Sequence, residues 1–123
     1  MSHRIAAVAA LATLAVIGPK AARAHARLMS ADPPAGASVK HPPRILRASF
    51  SEALVGPFSG LELATDKGAP VAIGKTTLDP KNPRTLIAPI VRPLAAGGYV
   101  VKWRAVSVDT HRMTGRYGFR VEP

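Results

Sequence analysis

The stretch Y-V-V-K-W-R-A-V, residues 99–106, decides the fold. Tyr99, Val101, Trp103 and Ala105 alternate along it with Val100, Lys102, Arg104 and Val106. Successive side chains of an extended backbone point to opposite faces, so one side is apolar and the other carries Lys102 and Arg104. R-Y-G-F-R-V (116–121) repeats the pattern, with Tyr117, Phe119 and Val121 in strict period two. I-L-R-A-S-F (45–50) does the same with Leu46, Ala48 and Phe50, and G-L-E-L-A (60–64) with Leu61 and Leu63. T-L-I-A-P-I (85–90) is more uniformly apolar.

Between these segments the chain is broken by D-P-P-A-G, H-P-P, V-G-P, D-K-G-A-P, D-P-K-N-P and R-P-L-A-A-G-G. Proline and glycine at such spacing mark turns between short strands. No stretch after residue 24 has helical periodicity. The expected fold is all-β, an antiparallel β-sandwich or Greek-key barrel.

The first 24 residues read differently. Arg4 opens a short polar start, residues 5–18 are continuously apolar, and Ala22-Arg23-Ala24 gives the small-x-small pattern of a signal-peptidase site. The apolar run of about 14 residues is short of the ~20 that span a bilayer. Residues 1–24 are therefore expected to be a cleaved secretory signal, and 25–123 a single small domain that is not membrane-spanning. A cut after Ala22 or Ala26 also satisfies the pattern. A cut after Ala24 makes His25 the first residue, with a free α-amine beside its imidazole.

The signal carries three of the 17 basic residues (Arg4, Lys20, Arg23) and none of the 7 acidic ones, so 14 Lys+Arg remain against 7 Asp+Glu, a net charge near +7. The basic residues are scattered from Arg27 to Arg120 with little aromatic interleaving. They are read as a solvated surface able to steer docking to an acidic partner, not as a nucleic-acid site. Export without any cysteine fits a bacterial periplasm better than a disulfide-rich scaffold.

Past the best strand comes S-V-D-T-H (107–111). If the strand continues, Asp109 and His111 project to one side and offer an oxygen and a nitrogen to one point. With the amine and imidazole of a terminal His25 the tally is three nitrogens and one oxygen. That donor set suits tetragonal Cu(II). D-x-H by itself is also a common turn-capping pair, and the sequence does not show that the two ends meet.

The order H-A-R-L-M-S-A-D-P-P-A-G, F-S-E, F-S-G and W-R-A-V-S-x-D-T-H, continuing to G-x-x-x-F-x-V, resembles the CopC family of periplasmic copper-binding proteins, over essentially all of residues 25–123. The resemblance implies an Ig-like Greek-key β-barrel and one Cu(II) per chain, held by His25, Asp109 and His111. Glu52, the glutamate of F-S-E, lies at the copper in some members; here it is equally readable as an exposed strand-end carboxylate. A CopD-type inner-membrane protein is the partner that the resemblance suggests.

Some members also carry a methionine-rich loop for Cu(I). Here only Met29 and Met113 follow residue 24, both in strand contexts where core packing is expected, so a separate Cu(I) site is doubtful. His41 is expected to be a solvated loop residue and Trp103 a core residue. The leading expectation is a non-catalytic copper carrier or buffer in copper resistance or homeostasis. The alternatives are a copper monooxygenase-like enzyme with an N-terminal histidine, and a metal-free β-sandwich interaction module.

Overall fold

Nine strands carry almost all of the regular structure in the computed structural model, which describes residues 25–123. The secretory signal expected over residues 1–24 lies outside the described residues. The strands are β1 (Leu28–Asp32), β2 (Ser38–Val39), β3 (Ile45–Phe50), β4 (Gly60–Thr65), β5 (Pro70–Val71), β6 (Thr77–Asp79), β7 (Asn82–Pro89), β8 (Gly97–Val106) and β9 (Arg112–Val121). A single 3-10 turn at Gly56–Phe58 is the one helical element among the described residues.

The strands form two sheets, a four-stranded one in the order β1-β3-β7-β6 and a five-stranded one in the order β2-β9-β8-β4-β5. The β1–β2, β2–β3, β3–β4, β5–β6 and β7–β8 connections cross between them. β8 and β9 make the longest ladder, from Gly97 opposite Val121 to Val106 opposite Arg112. β2 is the exception to antiparallel pairing, lying parallel to β9.

The period-two faces meet between the sheets. Leu46, Ala48 and Phe50 from β3 and Leu86 and Ala88 from β7 pack against Leu61, Leu63, Val101, Tyr117 and Phe119. Burying such side chains stabilises the fold by about 1.5–3 kcal/mol each. The part-buried hydroxyls of Ser49 and Thr85 pair across β3 and β7 at 2.8 Å.

Trp103 sits at one end of this core, as expected of it. Its ring meets Phe50 edge to face at 5.1 Å. It lies over Gly115, its partner on β9, where a Cβ would fall 2.4 Å from the indole. Met29 corrects an expectation: it lies in β1 but is 60% exposed, at the break in the β1–β3 register between Leu28 and Ser30.

The Tyr117 hydroxyl is buried without a hydrogen-bond partner among the described residues. Burial, aided by the negative charge of Asp32, pushes its pKa up from 10.0 to about 12. An unfolded chain therefore gives up this proton first as the solution turns alkaline. The associated stability is intact below pH 10 and is lost as pH rises through about 12. Tyr117→Phe removes both the unpaired hydroxyl and this alkaline liability. At neutral pH its urea midpoint should match or exceed the parent's. Above pH 10 the parent should lose stability faster; parallel curves would show that Tyr117 does not titrate with unfolding.

Candidate metal site

Segment 51–55 ties the two sheets together at the end of the sandwich where Trp103 lies. On one side, Ser51 N–H donates to the Arg27 carbonyl (2.9 Å) and Leu54 N–H to that of Pro83 (2.9 Å). On the other, Val55 N–H donates to the Val106 carbonyl (2.8 Å), and Val108 N–H donates to that of Ala53 (3.1 Å). The start of the described chain and the β8–β9 turn are thus both fixed to one short connection.

Ser51 holds the N-terminal approach. Its hydroxyl accepts from Arg27 N–H at 2.9 Å and donates to the His25 carbonyl at 3.4 Å. Ala26, between them, is fully buried. The half-buried His25 ring is thereby set edge to face against His111, with centroids 4.7 Å apart. His25 Nδ1 is buried and finds no hydrogen-bond partner among the described residues.

Asp109 and His111 do come together, but not by the pleat of a strand. Regular pairing of β8 with β9 ends at Val106 and Arg112, and residues 107–111 form the turn between them. Thr110 takes the left-handed conformation at φ 71° and donates its N–H to the Ser107 carbonyl at 2.7 Å. This turn folds His111 back until Nδ1 lies 3.3 Å from Asp109 Oδ1. The D-x-H spacing works because the chain reverses there.

Ser107, 1% exposed, is the residue that sequence reasoning passed over. Its hydroxyl hydrogen-bonds Asp109 Oδ1. That bond is the main cause holding the Asp109 carboxyl below its usual range, with His111 adding to it against some desolvation. Its signal was the serine two residues ahead of an aspartate, a common local hydrogen-bonding pattern in turns. All these contacts fall on Oδ1, so Oδ2 has no partner among the described residues.

Glu52 is half-buried beside Ser51, with no ion pair among the described residues. His41 is exposed on a separate loop, as expected. The structure therefore places His111 beside both His25 and Asp109 and leaves Glu52 on the adjoining connection. Among the described residues, no three histidine, cysteine, aspartate or glutamate side chains form a group that could hold an ion on their own. Holding one ion with all three would need these side chains to draw closer together.

Residues 28–122 match the family model described as the CopC domain. The chain belongs to the CopC family. Among curated relatives, copper resistance protein C of Pseudomonas syringae pv. tomato is 38% identical over 106 residues, covering 82% of this chain and 83% of that one. The crystal structure of CopC from Methylosinus trichosporium OB3b superposes with a TM-score of 0.75 at 30% identity, covering 80% of this chain and 95% of that one. PcoC of Escherichia coli, described as a methionine-rich copper resistance protein, gives 0.73 at 38% identity, covering 80% and 100%. This CopC-family chain has the sandwich of those structures but only three methionines.

Proposed function

We propose that this protein is a periplasmic Cu(II) carrier or buffer acting in copper resistance, with one ion bound at the end of the sandwich by His25, His111 and Asp109. The observation that carries this reading is the buried, unpartnered Nδ1 of His25 beside the His111 ring. An orphaned imidazole nitrogen is destabilising unless something accepts its lone pair, and a metal ion does so. After cleavage ahead of His25, the new α-amine and Nδ1 of the same residue close a chelate ring, and the amine is a further donor. His111 adds a nitrogen, and its Nδ1 contact with Asp109 fixes the ring orientation so that Nε2 is presented. Asp109 Oδ2 completes a set of three nitrogens and one oxygen, suited to Cu(II) by type and geometry. Few methionines, and an exposed Met29, give no support to a separate Cu(I) site.

The copper relatives support a carrier over an enzyme, and so does the placement of the aromatics. Tyr99 and Tyr117 are 6% and 7% exposed, so neither offers a flat substrate platform of the kind a copper monooxygenase uses. A CopD-type inner-membrane protein fits as the recipient.

The reading is tested by Cu(II) titration of the mature protein with electron paramagnetic resonance. One tetragonal, nitrogen-rich spectrum at one equivalent is expected. His111→Ala should weaken binding by about 100-fold and Asp109→Ala by about 10–100-fold, with Glu52→Ala costing less than about tenfold. Parent-like affinity in the His111 or Asp109 variant removes that residue from the site. Copper occupancy should also fall between neutrality and mild acid. The Asp109 carboxyl, already held low, stays ionised there, so the loss reports protonation of nitrogen donors. Constant affinity across that range excludes an amine-imidazole site.

A further inference from the structure

The basic residues that look scattered along the chain are gathered by the sheet. Lys102 and Arg104 on β8 and Arg112, Arg116 and Arg120 on β9 alternate with inward residues, so all five project from the outer face of the five-stranded sheet. Lys102 stands directly opposite Arg116, and Arg104 opposite Thr114. Like charges opposed across a ladder destabilise it, so the Lys102–Arg116 pair costs the fold stability. Acidic relief is sparse: Glu62 is opposite Lys102, and Asp66 approaches Arg120 at 3.8 Å.

Lys102, Arg104, Arg112 and Arg116 line a shallow hollow of about 330 Å³. Arg104 and Arg112 also line a second hollow, of about 530 Å³, with Val55, Pro57, Phe58 and Thr110. Phe58 is 62% exposed there. A cationic plane thus continues into an exposed apolar edge.

We propose that this face docks the protein on an anionic phospholipid surface, with the five cations over the headgroups and Phe58 at the apolar edge entering the interface. Protein interfaces place apolar residues at the centre and charge at the rim. This face has the reverse order, with opposed cations at its centre and the aromatic at one end. A diffuse sheet of negative charge matches it, and each cation near such a surface adds about fivefold to partitioning. The proposal does not depend on copper, so its test is run without metal, and its failure leaves the copper reading untouched.

The exported protein, its first residue checked by mass spectrometry, is sedimented with vesicles of 30% phosphatidylglycerol in phosphatidylcholine and with phosphatidylcholine alone. Binding to the anionic vesicles only, weakening with salt, is expected. A triple variant Lys102→Gln, Arg116→Gln, Arg120→Gln should bind about 100-fold more weakly. A control of equal net charge, Lys75→Gln, Lys81→Gln, Arg84→Gln, should bind nearly as well as the parent. Circular dichroism establishes that both variants are folded. Equal loss in the two triples overturns the proposal in favour of net charge alone, and absence of anionic-vesicle binding overturns it outright. Tighter capture of polyglutamate than of vesicles through the same three residues overturns it in favour of an acidic polypeptide.

Discussion

Adding a single residue ahead of His25 is expected to weaken Cu(II) binding by about 100-fold or more and to leave the sandwich standing. The extra residue converts the α-amine into an amide nitrogen, a poor donor unless deprotonated. The same change removes the chelate ring that joins amine and Nδ1, so one alteration removes a ligand and loosens another. The fold is insulated from it. Ala26 is fully buried, and Ser51 holds Arg27 and the His25 carbonyl, so the chain is anchored just inside the change. Copper titration, electron paramagnetic resonance and thermal unfolding of extended and mature forms separate the effects. Equal affinity and identical spectra would show that the terminal amine is not a ligand. Loss of folding would show that the terminus is structural first.

The second large effect is expected from Gly115→Ala. A Cβ there falls 2.4 Å from Trp103 Cζ2 and 2.7 Å from Cε2, far inside contact distance. Moving the indole off Gly115 disturbs its edge-to-face packing on Phe50 at 5.1 Å. Overpacking of this kind typically costs about 1–3 kcal/mol. Trp103 is the only tryptophan, so its emission should shift along with the urea midpoint. Phe50 precedes Ser51, which holds the His25 approach, so a smaller loss of copper affinity should accompany the change. Unaltered stability and emission would mean that the indole does not lie over Gly115.

Much of the architecture was legible because burial on one face writes itself as period two. Leu46, Ala48, Phe50, Leu61, Leu63, Tyr99, Val101, Tyr117 and Phe119 all point inward where alternation put them. The shortest strands were not legible. β2 and β5 have two residues each and β6 three, too few to display a period. Met29 misled because the β1–β3 register breaks at it, and a bulge leaves no trace in the residue types. At the candidate site the residue types were readable, but the geometry was not: S-V-D-T-H continues a strand pattern in sequence, yet the left-handed Thr110 turns the chain back. Ser51 was visible as a letter and carried no weight, since its value lies in backbone groups that only the folded chain brings within reach, whereas Ser107 acts locally on Asp109. The basic face was hidden for a related reason. Lys102 and Arg104 were legible as one side of β8, but Arg112, Arg116 and Arg120 join them only across the β8–β9 ladder.

The candidate donors come from opposite sides of the sandwich: His25 leads into β1 of one sheet, while Asp109 and His111 lie in the β8–β9 turn of the other. They are roughly 85 residues apart along the chain, which has no cysteine. A covalent link closing a loop of that length would restrict the unfolded chain by about 4–5 kcal/mol in the chain-entropy account, and a metal clip acts on the same loop. Copper bound as proposed is therefore a detachable cross-link, doing for this protein what a disulfide does elsewhere, and only while cargo is aboard. The loaded protein would then be the hardier one, and handing over the ion would return it to a looser, more easily degraded form.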